Sequence, residues 1–174
     1  MNTLIFKIND LLDKPTGTSI KYSFKGPVKF EGIPEKSEIE GDATIMKIDE
    51  GVNLSVEKVN IEVEFQCEKC LDNYVKKIHI DQTERQFLLE KPKKVEDQED
   101  LFLIDKKKLE IDATEMLRQE IILHFPVVSV CSKHCKGLCP VCGKNRNKEK
   151  CDCRIIEETP ENKPLKQLKD LIKE

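Results

Sequence analysis

The sequence predicts an α+β fold: an antiparallel β-sheet meander with one packed helix, a C-terminal cysteine-rich appendage and a short terminal helix. Two observations lead to this class. Apolar and polar residues alternate over residues 43–80, which is the period of strands with one buried face. Six cysteines then crowd residues 131–153, where apolar side chains are few. The predicted domains are therefore an α+β domain (1–130), a cysteine cluster (131–154) and an amphipathic helix packed on the domain (155–174).

The alternating segments predict an antiparallel sheet of five or more strands. The apolar positions change phase at Glu57-Lys58, which predicts a bulge or a turn, because an unbroken strand would expose one of the two apolar sets. A turn at residues 67–73 then separates the strand candidate at residues 59–65 from the one at residues 74–80. The strand candidates, in chain order, are residues 4–8, 20–24, 43–48, 52–56, 59–65 and 74–80, with short strands at 101–104 and 109–111.

The clearest helix is predicted from Asp112 to about His124. Asp112 and Glu115 have the spacing of a capping box, and Pro126 disfavours helical geometry in the residue before it. Apolar residues at 121–123 and 125 widen the apolar face, so we expect the helix end to be buried. A second apolar stripe predicts the terminal helix at residues 164–174, and the charged residues 91–100 predict a surface loop.

Length and composition exclude several classes of protein. The 174 residues, 38% hydrophobic and 36% charged, suit one domain with a small appendage. No segment approaches the roughly 18 apolar residues of a membrane span. Residues 1–12 contain Asp10 and no long apolar stretch, so no secretory signal is evident. We therefore expect a cytoplasmic protein with no membrane partner, whose cysteines stay reduced.

The cysteine cluster predicts a structural zinc site. Four of its six thiolates would complete a tetrahedral site, and Cys139 and Cys142 are the most secure ligands because Gly143 allows the tight turn between them. Disulfides suit a secreted chain, and buried free thiols would be scattered along apolar faces. We expect one zinc ion per chain. The six candidates are Cys131, Cys135, Cys139, Cys142, Cys151 and Cys153.

The choice among these six cysteines follows from local geometry. Alternate residues of an extended segment point in opposite directions, so Cys151 and Cys153 are expected to contribute one ligand between them. Cys131 or Cys135, or both, would then complete the four ligands.

A separate pair, Cys67 and Cys70, lies in the turn between two predicted strands. The pair could form half of a second metal site, a redox dithiol or a structural turn without metal. A thioredoxin-type dithiol is expected at a helix N-terminus, whereas this pair follows a strand, with Glu68 and Asp72 nearby to raise the thiol pKa. The sequence leaves the metal and structural alternatives open.

Charge is unevenly distributed along the chain. Residues 1–130 hold 19 Lys or Arg and 26 Asp or Glu, a formal −7, whereas residues 131–154 hold seven and two, a formal +5. One zinc bound by four thiolates would lower that local charge by about 2. The basic residues either offset thiolate charge or form a phosphate-facing tip. In the second case Lys144, Arg146 and Lys148 are the candidate RNA contacts.

The sequence contains no catalytic constellation. It has no phosphate-binding glycine loop, nucleophile elbow or His-rich metal motif with an open position. A zinc ion held by four thiolates is closed to substrate. We therefore expect that the protein is not an enzyme.

Three blocks of this sequence resemble the YceD family, whose members are named for large-subunit ribosomal RNA accumulation. The blocks are Gln66–Leu71, Glu120–Val128 and Cys135–Gly143, in the family's order. The resemblance implies a bacterial cytoplasmic protein that acts in ribosome biogenesis without catalysis. Lys69 stands where an arginine is frequent in the family, which keeps the charge but loses the bidentate guanidinium.

Two functional hypotheses follow. In the first, the protein binds large-subunit rRNA or a pre-ribosomal particle and its zinc tip supplies positive surface. In the alternative, it is a protein-interaction module or chaperone whose acidic body binds a basic ribosomal protein. A thiol oxidoreductase using Cys67 and Cys70 ranks third.

Overall fold

The computed structural model describes residues 4–33, 38–91 and 101–153. Its contacts divide the chain into two units. The first unit comprises residues 1–66 and 73–129, and the second comprises residues 67–72 and 130–174. The turn Cys67–Asp72 was predicted to lie in the α+β domain of residues 1–130. In the structure it belongs to the second unit, together with the cysteines of residues 131–153. The predicted terminal helix and residues 92–100 of the predicted charged loop lie outside the described residues.

The described elements are β1 (Ile5–Lys7), α1 (Asn9–Leu12), β2 (Ser19–Pro27), β3 (Glu38–Ile48), β4 (Gly51–Gln66), β5 (Asn73–Leu88), β6 (Phe102–Leu103), β7 (Glu110–Asp112) and α2 (Thr114–Leu123). The first unit is built mainly from one five-stranded sheet with the order β2-β3-β4-β5-β6. The four consecutive strands β2 to β5 pair antiparallel, and β1 pairs antiparallel with β7 in a separate ribbon.

The α+β class and the largely antiparallel sheet agree with the prediction, with one exception. Strand β6 pairs parallel to β5. Residues 89–101 connect the two strands, and a connection of about a dozen residues is what a parallel crossover requires. Alternation within a two-residue strand carries no information about its direction, so the sequence could not show that β6 pairs parallel to β5.

The phase change at Glu57-Lys58 is a β-bulge within one continuous strand, as one of the two alternatives predicted. The register of β4 against β3 shifts between Glu40 and Asp42, and Lys58 has a positive φ of 53°. Val56 and Val59, on either side of the bulge, are both fully buried. The extra residue therefore lets both apolar sets of β4 face the core.

Helix α2 contributes Met116, Leu117 and Ile121 to the hydrophobic core that also contains the buried residues of β3, β4 and β5. At its start, the Asp112 carboxylate accepts the Thr114 N–H at 2.9 Å. The predicted capping box of Asp112 and Glu115 is not the cap of this helix, because the N-cap is Ala113 and makes no side-chain cap bond. Glu115 instead accepts from the Arg118 guanidinium.

The end of α2 differs from the prediction. Leu123 is 74% exposed and Ile122 is 38% exposed, so these two residues do not extend the buried face, whereas Ile121 is fully buried and Phe125 is partly buried against the core. The face of a ten-residue helix that packs on a sheet is narrower than the apolar face of its sequence.

Among the described residues, no helix is long and apolar enough to cross a membrane.

The two leucines of α2 provide a direct test of this packing. Leu117→Ala removes a fully buried side chain and should lower the free energy of unfolding by about 2–5 kcal/mol. Leu123→Ala truncates an exposed side chain and should change it by less than about 0.5 kcal/mol. Urea unfolding of both variants measures the difference, and equal losses would contradict the described packing of α2.

Candidate metal centres

The second unit brings all eight cysteines into two groups of four. The first group contains Cys67, Cys70, Cys131 and Cys135, and the second contains Cys139, Cys142, Cys151 and Cys153. Within each group all four sulfur atoms lie within 4.8 Å of one another. Each group therefore has the number and the kind of ligands that hold a metal ion.

This grouping differs from the predicted one in two respects. Cys131 and Cys135 lie with Cys67 and Cys70, and do not complete a site with Cys139 and Cys142. In addition, Cys151 and Cys153 both join the second group, since this stretch is not part of a regular strand and alternation does not apply there. The half-site interpretation of Cys67 and Cys70, which the sequence left open, matches the geometry.

Sulfur–sulfur distances in the first group suit a tetrahedral ion. The Sγ atoms of Cys67 and Cys135 are 3.8 Å apart, and those of Cys70 and Cys131 are 3.7 Å apart. Four sulfurs at ~2.3 Å from a tetrahedral zinc ion are separated by about 3.8 Å. A disulfide would bring two sulfurs to about 2.05 Å, and all eight cysteines are free thiols.

Two turns of the same design present the first pair of thiols in each group. In the first, the Cys67 N–H donates to the Asp72 carbonyl at 2.9 Å and the Leu71 N–H donates to the Cys67 carbonyl at 2.8 Å. In the second, the Cys139 N–H donates to the Lys144 carbonyl at 2.8 Å and the Gly143 N–H to the Cys139 carbonyl at 2.9 Å. The repeated bonds show that the two Cys-x2-Cys segments adopt one backbone conformation.

The residue after the second cysteine of each turn has a positive φ. The angle is 72° at Gly143, where glycine adopts it without strain, and 61° at Leu71, where a Cβ makes it costly. The positive φ at Leu71 is therefore held by the hydrogen bonds of the turn and by the group of four thiols that this turn completes.

Backbone N–H groups set the acidity of the leading thiol in both turns. Burial raises the pKa of Cys67, but N–H groups of Cys131, Cys70 and Lys69 outweigh it and lower the pKa to about 6. For Cys67 this is the opposite of the raised thiol pKa that the sequence predicted from Glu68 and Asp72. The N–H groups of Cys142 and Val141 likewise lower the pKa of Cys139 to about 6. These two thiols are thereby prepared to act as thiolate ligands near neutral pH.

Other thiols of the groups are harder to ionise. Burial and the neighbouring Cys135 raise the pKa of Cys131 to about 12. The hydrogen bond with Cys142, together with burial, raises the pKa of Cys153 to about 12. Several thiolates this close repel one another, and a bound divalent cation removes that repulsion. The donor set thus fits a cation that takes four thiolates.

The loop between Cys142 and Cys151 reaches the first group as well as the second. Asn145 donates through Nδ2 to the Asp72 carboxylate at 2.8 Å and to the Cys70 carbonyl at 3.3 Å. The Asn147 amide donates to the Cys135 Sγ at 3.4 Å. One loop therefore orients a turn and a ligand of the first group while its two ends carry ligands of the second.

The three candidate RNA contacts differ in their surroundings. All three side chains are exposed, as predicted, but Lys148 Nζ lies 2.7 Å from the Asp72 carboxylate and Lys144 Nζ lies 3.5 Å from that of Glu149. Arg146 has no ion pair with any residue in the described ranges. Sequence reasoning missed the structural role of Asp72, Asn145 and Asn147, because only the fold brings residues so distant in sequence together.

The chain is similar to known proteins over part of its length. A model of the family described as "Large ribosomal RNA subunit accumulation protein YceD" matches residues 57–171. A curated relative, "Large ribosomal RNA subunit accumulation protein YCED homolog 1, chloroplastic" from Arabidopsis thaliana, is 38% identical over 61 residues. That similarity covers 35% of this chain and 19% of the relative. No solved structure matches this chain significantly.

Two glycines that both have a positive φ, but that have different surroundings, test the packing of this unit. A Cβ at Gly137 would lie 2.9 Å from the Lys69 carbonyl oxygen, whereas one at Gly143 would meet nothing within 4 Å. Gly143→Ala should cost only the strain of a positive φ, roughly 1–2 kcal/mol, and Gly137→Ala should cost distinctly more because backbone must also move.

Thermal unfolding of the two variants, purified under the same anaerobic conditions, compares these costs. A Gly143→Ala variant as damaged as Gly137→Ala would show that the close approach of Lys69 to Gly137 is wrong.

Proposed function

Since the chain belongs to the YceD family, we propose that it is a non-enzymatic factor in ribosome biogenesis that supports the accumulation of large-subunit rRNA, with one structural zinc ion in each cysteine group. The family match carries the proposal, because residues 57–171 include all eight cysteines. Its partner is large-subunit rRNA or a pre-ribosomal particle, and the protein acts in the bacterial cytoplasm. The name of the family describes accumulation of an RNA, not a reaction.

Zinc is the metal that the donor set favours. Four thiolates in a tetrahedron suit zinc, or iron in its sulfur-ligated sites, and exclude magnesium and calcium, which take oxygen ligands. Zinc held in this way has no open position and serves structure. The free energy of binding, about 10–16 kcal/mol per ion in small modules, would stand in for an apolar core, which the described part of the second unit does not contain.

Elemental analysis of protein purified without oxygen tests the metal assignment. Because the structure forms two groups of four thiols, we expect two zinc ions per chain in place of the single ion expected from the sequence. A variant with both Cys139 and Cys142 replaced by Ser should lose the second ion, because half of its ligands are gone. Protein with all thiols intact and no metal would overturn the assignment, and stoichiometric iron would change the identity of the ion.

The Asn145 amide should act as a positioning group for the first site. Asn145→Ala keeps all eight thiols but removes the bonds to Asp72 and to the Cys70 carbonyl. Each of the two lost bonds weakens the folded site by roughly 0.5–1.5 kcal/mol, so zinc transfer from the first site to a chelator should become about 5–150-fold faster. Lys150→Ala, an exposed change in the same loop, is the matched control. Equal transfer rates in the two variants would argue against this role.

The rRNA role is tested by cross-linking in cells, followed by sequencing of the bound RNA and identification of the bound proteins. We expect large-subunit rRNA to be enriched over small-subunit rRNA. Recovery of one basic ribosomal protein without rRNA would instead support the chaperone alternative. That alternative is favoured by the formal −7 of residues 1–130, which complements a basic partner.

The geometry of Cys67 and Cys70 gives little support to a thiol oxidoreductase. Both thiols are buried, they belong to a group of four, and their turn follows strand β4 instead of opening a helix. With zinc bound, both sulfurs would be ligands and neither would be available to attack a disulfide.

A further inference from the structure

Three segments that carry the exposed cations Lys69, Lys136 and Arg146 meet at Gly137 in the second unit. The Leu138 N–H donates to the Lys69 carbonyl at 2.8 Å, and the Arg146 N–H donates to the Gly137 carbonyl at 3.0 Å. The Lys136 N–H, one residue before Gly137, donates to the Asn147 side chain at 2.8 Å. The backbone of Lys69, Lys136 and Arg146 is thus held together by hydrogen bonds, although the first is more than sixty residues from the others.

Lys69, Lys136 and Arg146 are exposed, and none forms an ion pair with a residue in the described ranges. By contrast, the ammonium groups of Lys148 and Lys144 are already paired with carboxylates. The exposed Lys133 and Lys150 also have no ion pair to a described residue, so what sets the first three cations apart is the hydrogen-bonded backbone that they share around Gly137. Among the described residues, no carboxylate competes with an external anion at these three side chains.

The formal charge of the second unit shows why the individual cations matter. Residues 67–72 and 130–153 hold seven Lys or Arg and four Asp or Glu, a formal +3 with neutral thiols. Two zinc ions with eight thiolates would add about −4. The metal-loaded unit is then close to neutral, so no broad positive field attracts RNA, and binding depends on local contacts with unpaired cations.

We propose that Lys69, Lys136 and Arg146 form a surface that binds the phosphate backbone of large-subunit rRNA; this rests on the proposed function and assigns its RNA-binding site. Arginine can contact a phosphate through two N–H groups, and each lysine supplies a point charge. The described part of the second unit contains no Phe, Tyr or Trp on which bases could stack. The surface therefore positions RNA by its backbone and does not read base sequence.

The test replaces the three cations by glutamine in the full chain (K69Q/K136Q/R146Q). The matched control replaces three exposed lysines of the first unit (K7Q/K21Q/K76Q), which removes the same charge. A swapped variant (K69R/K136R/R146K) retains the charge at the surface. Binding of zinc-loaded proteins to a large-subunit rRNA transcript is measured by filter retention between 50 and 200 mM salt, and zinc content is measured in every sample.

We expect the glutamine variant to keep its zinc and to bind RNA more weakly. Each lost phosphate contact should lower the salt-dependence slope by roughly 0.7–0.9, which corresponds to about a 5–8-fold loss of affinity at 0.1 M salt. The control should bind like the wild type, and the swapped variant, which keeps all three charges, should keep the salt-dependence slope of the wild type. If the triple variant loses zinc, the single variant R146Q replaces it, with an expected decrease in slope of roughly 0.7–0.9.

Two results would overturn the proposal, and they are distinguishable. If the wild type binds RNA and the zinc-loaded glutamine variant binds with the same slope, the surface is wrong while the rRNA role stands. If the wild type itself shows no salt-dependent RNA binding, the surface and the RNA-binding form of the proposed function fail together.

Discussion

The second unit depends on the closure of its thiols into two groups of four. Among its described residues, only Cys67, Cys70, Gly137 and Cys139 are buried, so sulfur and backbone occupy the place that apolar side chains take in the first unit. The described part of the unit cannot fold by the hydrophobic effect alone, because its few buried residues remove too little apolar area from water. The two four-thiol groups account for the polar loops, the tight turns and the buried glycine around them.

The two groups are not independent, because a single loop serves both. The segment between Cys142 and Cys151 is closed at its ends by the second group, and its middle is bonded through Asn145 to the turn of the first. Ordering that loop costs conformational entropy, which the free energy of ion binding at either site would offset. Ion binding at the second site would therefore pre-organise the first, and the buried turn at Cys67 gains contacts that its own short segment cannot supply.

Local patterns in the sequence predicted the local structure. The period-2 alternation predicted the strands that became β3, β4 and β5, and the phase change at Glu57-Lys58 predicted the bulge, because both depend on neighbours in the chain. The distribution of cysteines between the two sites could not be predicted in the same way. Cys70 and Cys131 are brought together by the fold, and spacing rules weigh only ligands that are close in sequence. The exposed end of α2 escaped prediction for a related reason, since burial depends on what packs against a face.

The count of basic residues near the cysteines is a poor guide to RNA affinity in such a unit. Thiolates bound to zinc retain net negative charge, so part of any local excess of lysine and arginine only restores neutrality. Ion pairs remove further cations from use, as the Asp72–Lys148 pair at 2.7 Å illustrates. What remains for the proposed phosphate contact is the set of cations with no ion pair to a described residue, of which Lys69, Lys136 and Arg146 are linked by hydrogen bonds of their backbone. These bonds lie in the unit that also holds the two thiol groups, so the proposed zinc ions and the proposed RNA contacts depend on one local structure.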